Sequence, residues 1–205
     1  GQGKTCTALR LVSSTLRRNG ETGRVSAKDQ CVSEASLLVL PLNLVSQWRH
    51  EMNKFLRTER LRIVWFVQGK DVRNHTMDDL CEADVVVTTF DFLRNNKTYQ
   101  DHVECALKGR PKERASLAAW SRARPRRREC VLEAVVWKRI IVDEIHQMFD
   151  RPTHMRIFLL FRCRAAWGLS ATPSLDDERA QHLYSLMTRE KAHHPNLLAA
   201  LVARA

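Results

Sequence analysis

No apolar run in this chain approaches the length needed to cross a bilayer. Runs such as Leu37–Leu42 and Ile157–Phe161, and the seven-residue Leu197–Ala203, fall far short of the roughly 18–20 residues required, which excludes a membrane-spanning helix. The sequence opens on Gly-Gln-Gly-Lys-Thr, with no initiator Met and no apolar signal-peptide core behind it. Its six cysteines (Cys6, Cys31, Cys81, Cys105, Cys130 and Cys163) include no CxxC pair and no Cys/His cluster at zinc spacing. They predict reduced thiols in an intracellular protein rather than a disulfide framework. No internal repeat is visible. Acidic residues are the scarcer charge, 23 Asp and Glu against 34 Lys and Arg, giving a net charge of +11. That excess fits a polyanion such as nucleic acid and fits a solvated basic surface equally well.

What is present is an alternation. Ser36–Pro41, Arg62–Val67, Asp84–Thr89, Arg139–Val142 and Ala166–Ser170 are short β-branched runs, each ending in a small or polar residue. Near-continuous apolar strands of this length predict a parallel sheet covered on both faces. Between them lie helical periods: Ala8, Val12 and Leu16 fall on one face, as do Leu44, Trp48, Met52 and Phe55. Strand following helix following strand predicts a doubly wound α/β domain occupying residues 1–205.

One stretch breaks the pattern. Residues 94–136 read as a basic surface insertion ahead of the Arg139 strand, with Lys108-Gly-Arg-Pro-Lys112 and Arg122-Ala-Arg-Pro-Arg-Arg-Arg128 inside it. Residues 94–139 hold thirteen Lys and Arg against five Asp and Glu, so eight of the eleven net charges sit there and the remainder is only mildly basic. Three readings stand: an auxiliary phosphate contact, a nuclear import signal, or a solvated charge run.

Three short segments carry chemistry. Gly1-Gln2-Gly3-Lys4-Thr5 matches the end of a G-x-x-x-x-G-K-[ST] phosphate loop, whose first Gly and preceding strand would lie upstream. In such a loop, backbone N–H groups at a helix N-terminus surround phosphate oxygens. Gly1, Gln2, Gly3, Lys4, Thr5 and Cys6 are therefore the candidate ATP-binding positions. Lys4 would neutralise the β- and γ-phosphates and Thr5 would ligate Mg²⁺. A chance Gly-Lys-Thr at a helix start remains open for this half motif. Arg139-Ile-Ile-Val-Asp143-Glu144-Ile145-His146 is a hydrophobic strand ending in two carboxylates and a histidine. At the C-terminal edge of a parallel sheet, Asp143 can hold Mg²⁺ through water while Glu144 orients or deprotonates an attacking water. The alternative is an Asp-Glu helix cap. Trp167-Gly-Leu-Ser170-Ala171-Thr172-Pro173 is a third strand, ending in small hydroxyl residues.

The order of these segments resembles helicase superfamily two, in which a DExH box precedes a Ser/Thr-Ala/Gly-Thr motif. More closely, the chain resembles the Swi/Snf-type double-stranded-DNA translocases. Leu38-Val-Leu-Pro41-Leu-Asn-Leu-Val-Ser46-Gln47-Trp48 with Glu51 and Phe55 is similar to that family's "VVPLSLLSQWxxEIxKF" segment. Asp84-Val-Val-Val-Thr88-Thr89-Phe90-Asp91 is similar to "VVTTYE". Val136-Trp137-Lys138-Arg139-Ile140 resembles "W-K/R-R-V/I", and Leu183-Tyr-Ser-Leu-Met187 resembles "LWSLL". The nearest branch is the DNA-repair one whose members often carry a RING finger, although this chain holds no RING cysteines. Ile145 is bulkier than the family's usual residue at that point of the box, and Ser174-Leu-Asp-Asp-Glu178 departs from the usual pattern after the third motif.

The resemblance implies a RecA-like P-loop NTPase lobe, the first of a two-lobe nuclear motor that uses ATP and Mg²⁺ on double-stranded DNA or nucleosomes. The second lobe, with its arginine fingers, would be a partner outside this chain. Lys4, Asp143 and Glu144 would carry hydrolysis, and His146, Ser170 and Thr172 would couple it to the nucleic acid. Pro41, Ser46, Thr88 and Thr89 would contact DNA phosphates. For Thr88 and Thr89 a helix-capping role weighs equally, and for Trp48 a core role outweighs base stacking. Another superfamily-two motor, such as an RNA helicase or restriction-type translocase, and a non-hydrolysing scaffold that binds DNA or protein are the competing functions.

Overall fold

Two runs set the architecture: Ser36–Leu40 and Arg139–Val142 are buried at every position, so the sheet they join must be covered on both faces. The computed structural model describes residues 3–14, 31–56, 61–97, 99–101, 132–149, 154, 158 and 161–170. In chain order its elements are α1 (Lys4–Ser14), β1 (Cys31–Val32), β2 (Ser36–Leu40), α2 (Val45–Phe55), β3 (Ile63–Phe66), α3 (Gly69–Asn74), α4 (Met77–Glu82), β4 (Val85–Thr89), α5 (Phe90–Asn95), β5 (Val135–Trp137), β6 (Arg139–Val142), α6 (His146–Phe149), β7 (Arg162–Cys163) and β8 (Ala166–Gly168). Single 3-10 turns occupy Leu42–Leu44 and Leu132–Ala134.

The main sheet is wholly parallel, in the order β3-β4-β2-β6-β8. Val39 lies opposite Thr88 on one side and Val142 on the other, so β2, β4 and β6 finish along one edge. Alternate residues point to opposite faces. Leu38, Leu40, Val85, Val87 and Ile141 pack with Ala8, Leu9 and Val12 of α1 and with Trp48 and Met52 of α2. Leu37, Val39, Val86, Ile140 and Val142 pack on the other face with Leu80, Phe92, Leu93 and Trp137. This is the expected α/β fold, a parallel sheet flanked by helices.

All five predicted strands form, most of them a residue or two shorter than their apolar runs. Pro41, for instance, leaves β2 to open a 3-10 turn in which Leu44 N–H donates to its carbonyl at 3.0 Å. The sequence pattern does not foresee a second parallel sheet, β1-β5-β7. Its strands are two or three residues long, too short to show a period. Because α5 runs into 94–136 and β5 begins inside it, the described ends of this stretch join elements of the fold, while 98 and 102–131, with both basic runs, lie outside the described residues. Tyr99 and Glu133 face each other across that interval, the Tyr99 hydroxyl donating to the Glu133 carboxylate and accepting from Leu132 N–H at 3.1 Å. Burial pushes the Glu133 carboxyl up to about 7, against the opposing pull of the Tyr99 bond.

Among the described residues no helix is long and apolar enough to cross a membrane. Cys6 and Cys163 are free thiols. Cys81 is disulfide-bonded, which departs from the expectation that all six cysteines are reduced, and its partner lies outside the described side chains.

Candidate functional site

The site grows from the edge where β2, β4 and β6 end. Gly3 precedes α1 at φ 71, a left-handed conformation that costs glycine little, and its carbonyl accepts from Thr7 N–H at 2.9 Å. The buried Ala8, Leu9 and Val12 hold α1 on the sheet, so its first turn meets the end of β6. At the other end of α1 the buried Arg139 donates from Nη1 to the Leu11 carbonyl at 2.9 Å. Helix and strand are thus tied at both ends.

After β6, Asp143 N–H donates to the Val39 carbonyl at 3.0 Å, continuing the sheet. Glu144 then adopts φ 49, the one positive φ at a non-glycine residue among those described. Such a conformation costs of order 1–3 kcal/mol and persists only where surroundings enforce it. It sends the two adjacent carboxylates in different directions. Asp143 is 3% exposed, its Oδ2 accepting from Trp48 Nε1–H at 2.8 Å and its Oδ1 from Glu144 N–H at 2.9 Å. Glu144 is half-buried, and Lys4 Nζ donates to its Oε1 at 2.5 Å while standing 3.9 Å from Asp143 Oδ1. A cation and two acids 140 residues apart in sequence therefore converge.

They line an open cleft of about 650 Å³ together with Gly3, Thr5 and Cys6. Among the oxygen donors of its lining, the Asp143 and Glu144 carboxylates and the Thr5 hydroxyl suit a hard divalent cation such as Mg²⁺, and Lys4 supplies charge for a phosphate. Gly1 and Gln2 lie outside the described residues.

Behind the acids, His146 Nδ1 lies 3.0 Å from Ser170 Oγ and 3.3 Å from Glu144 Oε2. Backbone bonds hold this register: Ile145 N–H donates to the Leu169 carbonyl at 2.9 Å and Leu169 N–H to the Val142 carbonyl at 2.8 Å. Gly168 makes room for the bulky Ile145, since a Cβ there would lie 2.4 Å from Ile145 Cδ1. Thr172 lies outside the described residues, as does Leu183–Met187.

The predicted DNA contacts fare differently. Ser46 is exposed in the first turn of α2. Pro41 is buried, with its carbonyl committed to the following turn. Thr88 and Thr89 are 0% exposed. Thr88 Oγ1 donates to the Phe66 carbonyl at 2.8 Å, and Thr89 Oγ1 accepts from Phe92 N–H at 3.0 Å as the N-cap of α5. These bonds fit the helix-capping alternative for Thr89 and a strand-edge bond for Thr88. α5 begins at the residue after β4, and the hydroxyls are spent on strand and cap. A smaller hollow of about 360 Å³ lies beside them, between Pro41, Asn43, Phe90 and Gln147.

Two contacts escape the sequence reading, Trp48 to Asp143 and Arg139 to α1. Helical spacing places Trp48 inward but does not identify the acceptor its indole meets.

Comparison with known proteins gives the family and the fold. The chain is 28% identical over 149 residues to the human E3 ubiquitin-protein ligase SHPRH, which covers 72% of this chain and 8% of that protein. It is 27% identical over 194 residues to the DNA repair protein RAD5 of Candida albicans, covering 91% of this chain and 16% of that one. The chain thus spans less than a fifth of either relative. Among solved structures, the Sulfolobus solfataricus SWI2/SNF2 ATPase core in complex with dsDNA matches with a TM-score of 0.54 at 19% identity, over 92% of this chain and 29% of that one, a likeness of fold. The sequence model of the SNF2-related domain matches residues 1–189, and the chain belongs to that family.

Proposed function

We propose that residues 1–205 form the first ATPase lobe of a two-lobe, Mg²⁺-dependent motor that moves on double-stranded DNA, in repair or chromatin remodelling in the nucleus. The observation that carries this reading is the meeting of Lys4, Asp143 and Glu144 in one cleft at the C-terminal edge of a parallel sheet. Phosphoryl transfer needs positioned charge more than covalent help, and this trio supplies it.

Lys4 would turn from Glu144 to the β- and γ-phosphates, releasing the Glu144 carboxylate to orient the attacking water and take up its proton. Asp143 and Thr5 would hold Mg²⁺, which when bound offsets charge building on the phosphate oxygens. The contacts of His146 with Glu144 and Ser170 give a short path by which the state of the γ-phosphate could reach Ser170, and Thr172 two residues on. Ser46 is the DNA-contact candidate that stands in solvent. DNA as the track is supported by the family and by relatives bearing DNA-repair names.

The test is phosphate release by the full-length protein containing this lobe. Duplex DNA should stimulate it, and Glu144→Gln should lower turnover by about 100-fold or more while nucleotide binding persists. Stimulation by RNA but not duplex DNA would favour the RNA-helicase reading. Failure to bind ATP would favour a scaffold. The 205 residues alone should turn over negligibly, because the second lobe's arginines are supplied elsewhere.

A further inference from the structure

We propose that Trp48 is a positioning residue for Asp143, its indole N–H fixing the carboxylate in the orientation that receives the cation. This rests on the reading of the cleft as a Mg·nucleotide site.

Trp48 is 1% exposed and packs with Met52, Leu38 and Leu40, a place that a purely apolar side chain could fill. Tryptophan adds a single donor, and a buried donor needs an acceptor. Among the described residues the other fully buried tryptophan, Trp137, spends its Nε1–H on a backbone carbonyl, that of Leu132 at 3.1 Å. Trp48 instead donates at 2.8 Å to a side-chain carboxylate at the head of the cleft, 95 residues away.

The consequence is visible in how the two acids are held. Each oxygen of Asp143 receives one donor from a fixed element: Oδ2 from an indole on α2, Oδ1 from the backbone of the turn. The carboxylate plane is thereby set, and the remaining capacity of Oδ1 faces the cleft, where Lys4 Nζ stands at 3.9 Å. Glu144 is held through side chains, Lys4 and His146, and is free to swing once Lys4 is drawn away. One acid is preset and one is releasable. Outer-shell donors of this kind typically change metal affinity by about 10–100-fold when removed.

The experiment compares Trp48→Phe with wild type in the full-length protein, using a fluorescent N-methylanthraniloyl ADP titrated in EDTA and over a Mg²⁺ series. Phenylalanine keeps an apolar ring and removes the donor. Benzothienylalanine at position 48, an indole isostere without the N–H, serves as the second variant and keeps the test intact if Trp48→Phe unfolds. We expect the Mg²⁺ concentration at half-effect to rise about tenfold in both variants, with affinity in EDTA within about twofold of wild type. An unchanged Mg²⁺ dependence would overturn the proposal, and so would an equal loss with and without Mg²⁺, which marks a packing role. If wild type binds no nucleotide under either condition, the parent reading fails and takes this one with it. That outcome is distinct from a wild type that binds with a Mg²⁺ dependence the variants share.

Discussion

β4 and β6 end on the same edge of the same sheet, β4 in Thr88 and Thr89 and β6 just before Asp143 and Glu144, all nominated by the sequence for function, and they finish differently. After β6, a positive-φ turn throws Glu144 toward Lys4 and leaves Asp143 at the head of a cleft. After β4, helix α5 starts at once, and both threonine hydroxyls are consumed within the fold. Strand-end position alone therefore does not set how polar groups are presented. The deciding feature is whether the next residues turn the polar groups outward or use them to begin a helix.

A third carboxylate sharpens the contrast. Glu133, 2% exposed, lies at the opposite end of the chain segment that feeds β6, with the Tyr99 hydroxyl as its side-chain donor. Burial raises its carboxyl from 4.5 to about 7. A raised folded-state value means the folded chain holds the proton that the unfolded chain has lost. Stability should be full below pH 4.5 and decline as pH rises through about 7, by up to about 3 kcal/mol. Glu133→Gln keeps an acceptor for Tyr99 without the charge and should abolish that decline. Urea denaturation between pH 4.5 and 8 reads it, and parallel curves for the two proteins would refute the assignment.

Much of this was legible in the sequence. Continuous apolar runs predict the strands of the main sheet: β2, β4 and β6 are buried at every position and need no polar alternation, while β3 and β8 at its edges are part-exposed. Asp-Glu falls at the strand-end edge because β6 finishes there, and α1, packed on the sheet, brings Gly-Lys-Thr to the same edge. The rest depends on information that local pattern does not hold. Spacing sets Trp48 inward, yet the meeting of its N–H with Asp143 follows from how α2 lies across β6. Nothing in Asp-Glu-Ile-His announces φ 49 at Glu144, and Thr88-Thr89 reads alike whether a loop or a helix follows.

The turn after β6 can be tested through what stands behind it. Ile145, bulkier than the resemblance leads one to expect, fits because Gly168 has no side chain: an added Cβ would sit 2.4 Å from Cδ1, 3.1 Å from Cγ2 and 3.3 Å from Cβ of Ile145. A β-branched side chain cannot swing all three away by one rotation. Gly168→Ala should cost about 2 kcal/mol by overpacking, and Ile145→Ala in the same chain should recover most of it. Denaturation of the two single variants and the double variant measures the coupling, and simple additivity would show that the two positions do not share this space.

The smallest effect bears most directly on the comparison between strand ends. Thr89→Ala removes the cap on α5 and should cost about 1 kcal/mol, whereas Thr89→Ser keeps the oxygen and should lose less. If the hydroxyl serves the helix alone, duplex-DNA affinity measured by fluorescence anisotropy should be the same for wild type and both variants, provided each is folded at the assay temperature. Ser46→Ala, at an exposed position on α2, is the matched control, because a phosphate contact there would weaken binding without a loss of stability. Should Thr89→Ala lower DNA affinity tenfold while melting like wild type, the β4 end would have to open its threonine edge on DNA. The two strand ends would then differ in timing rather than in kind.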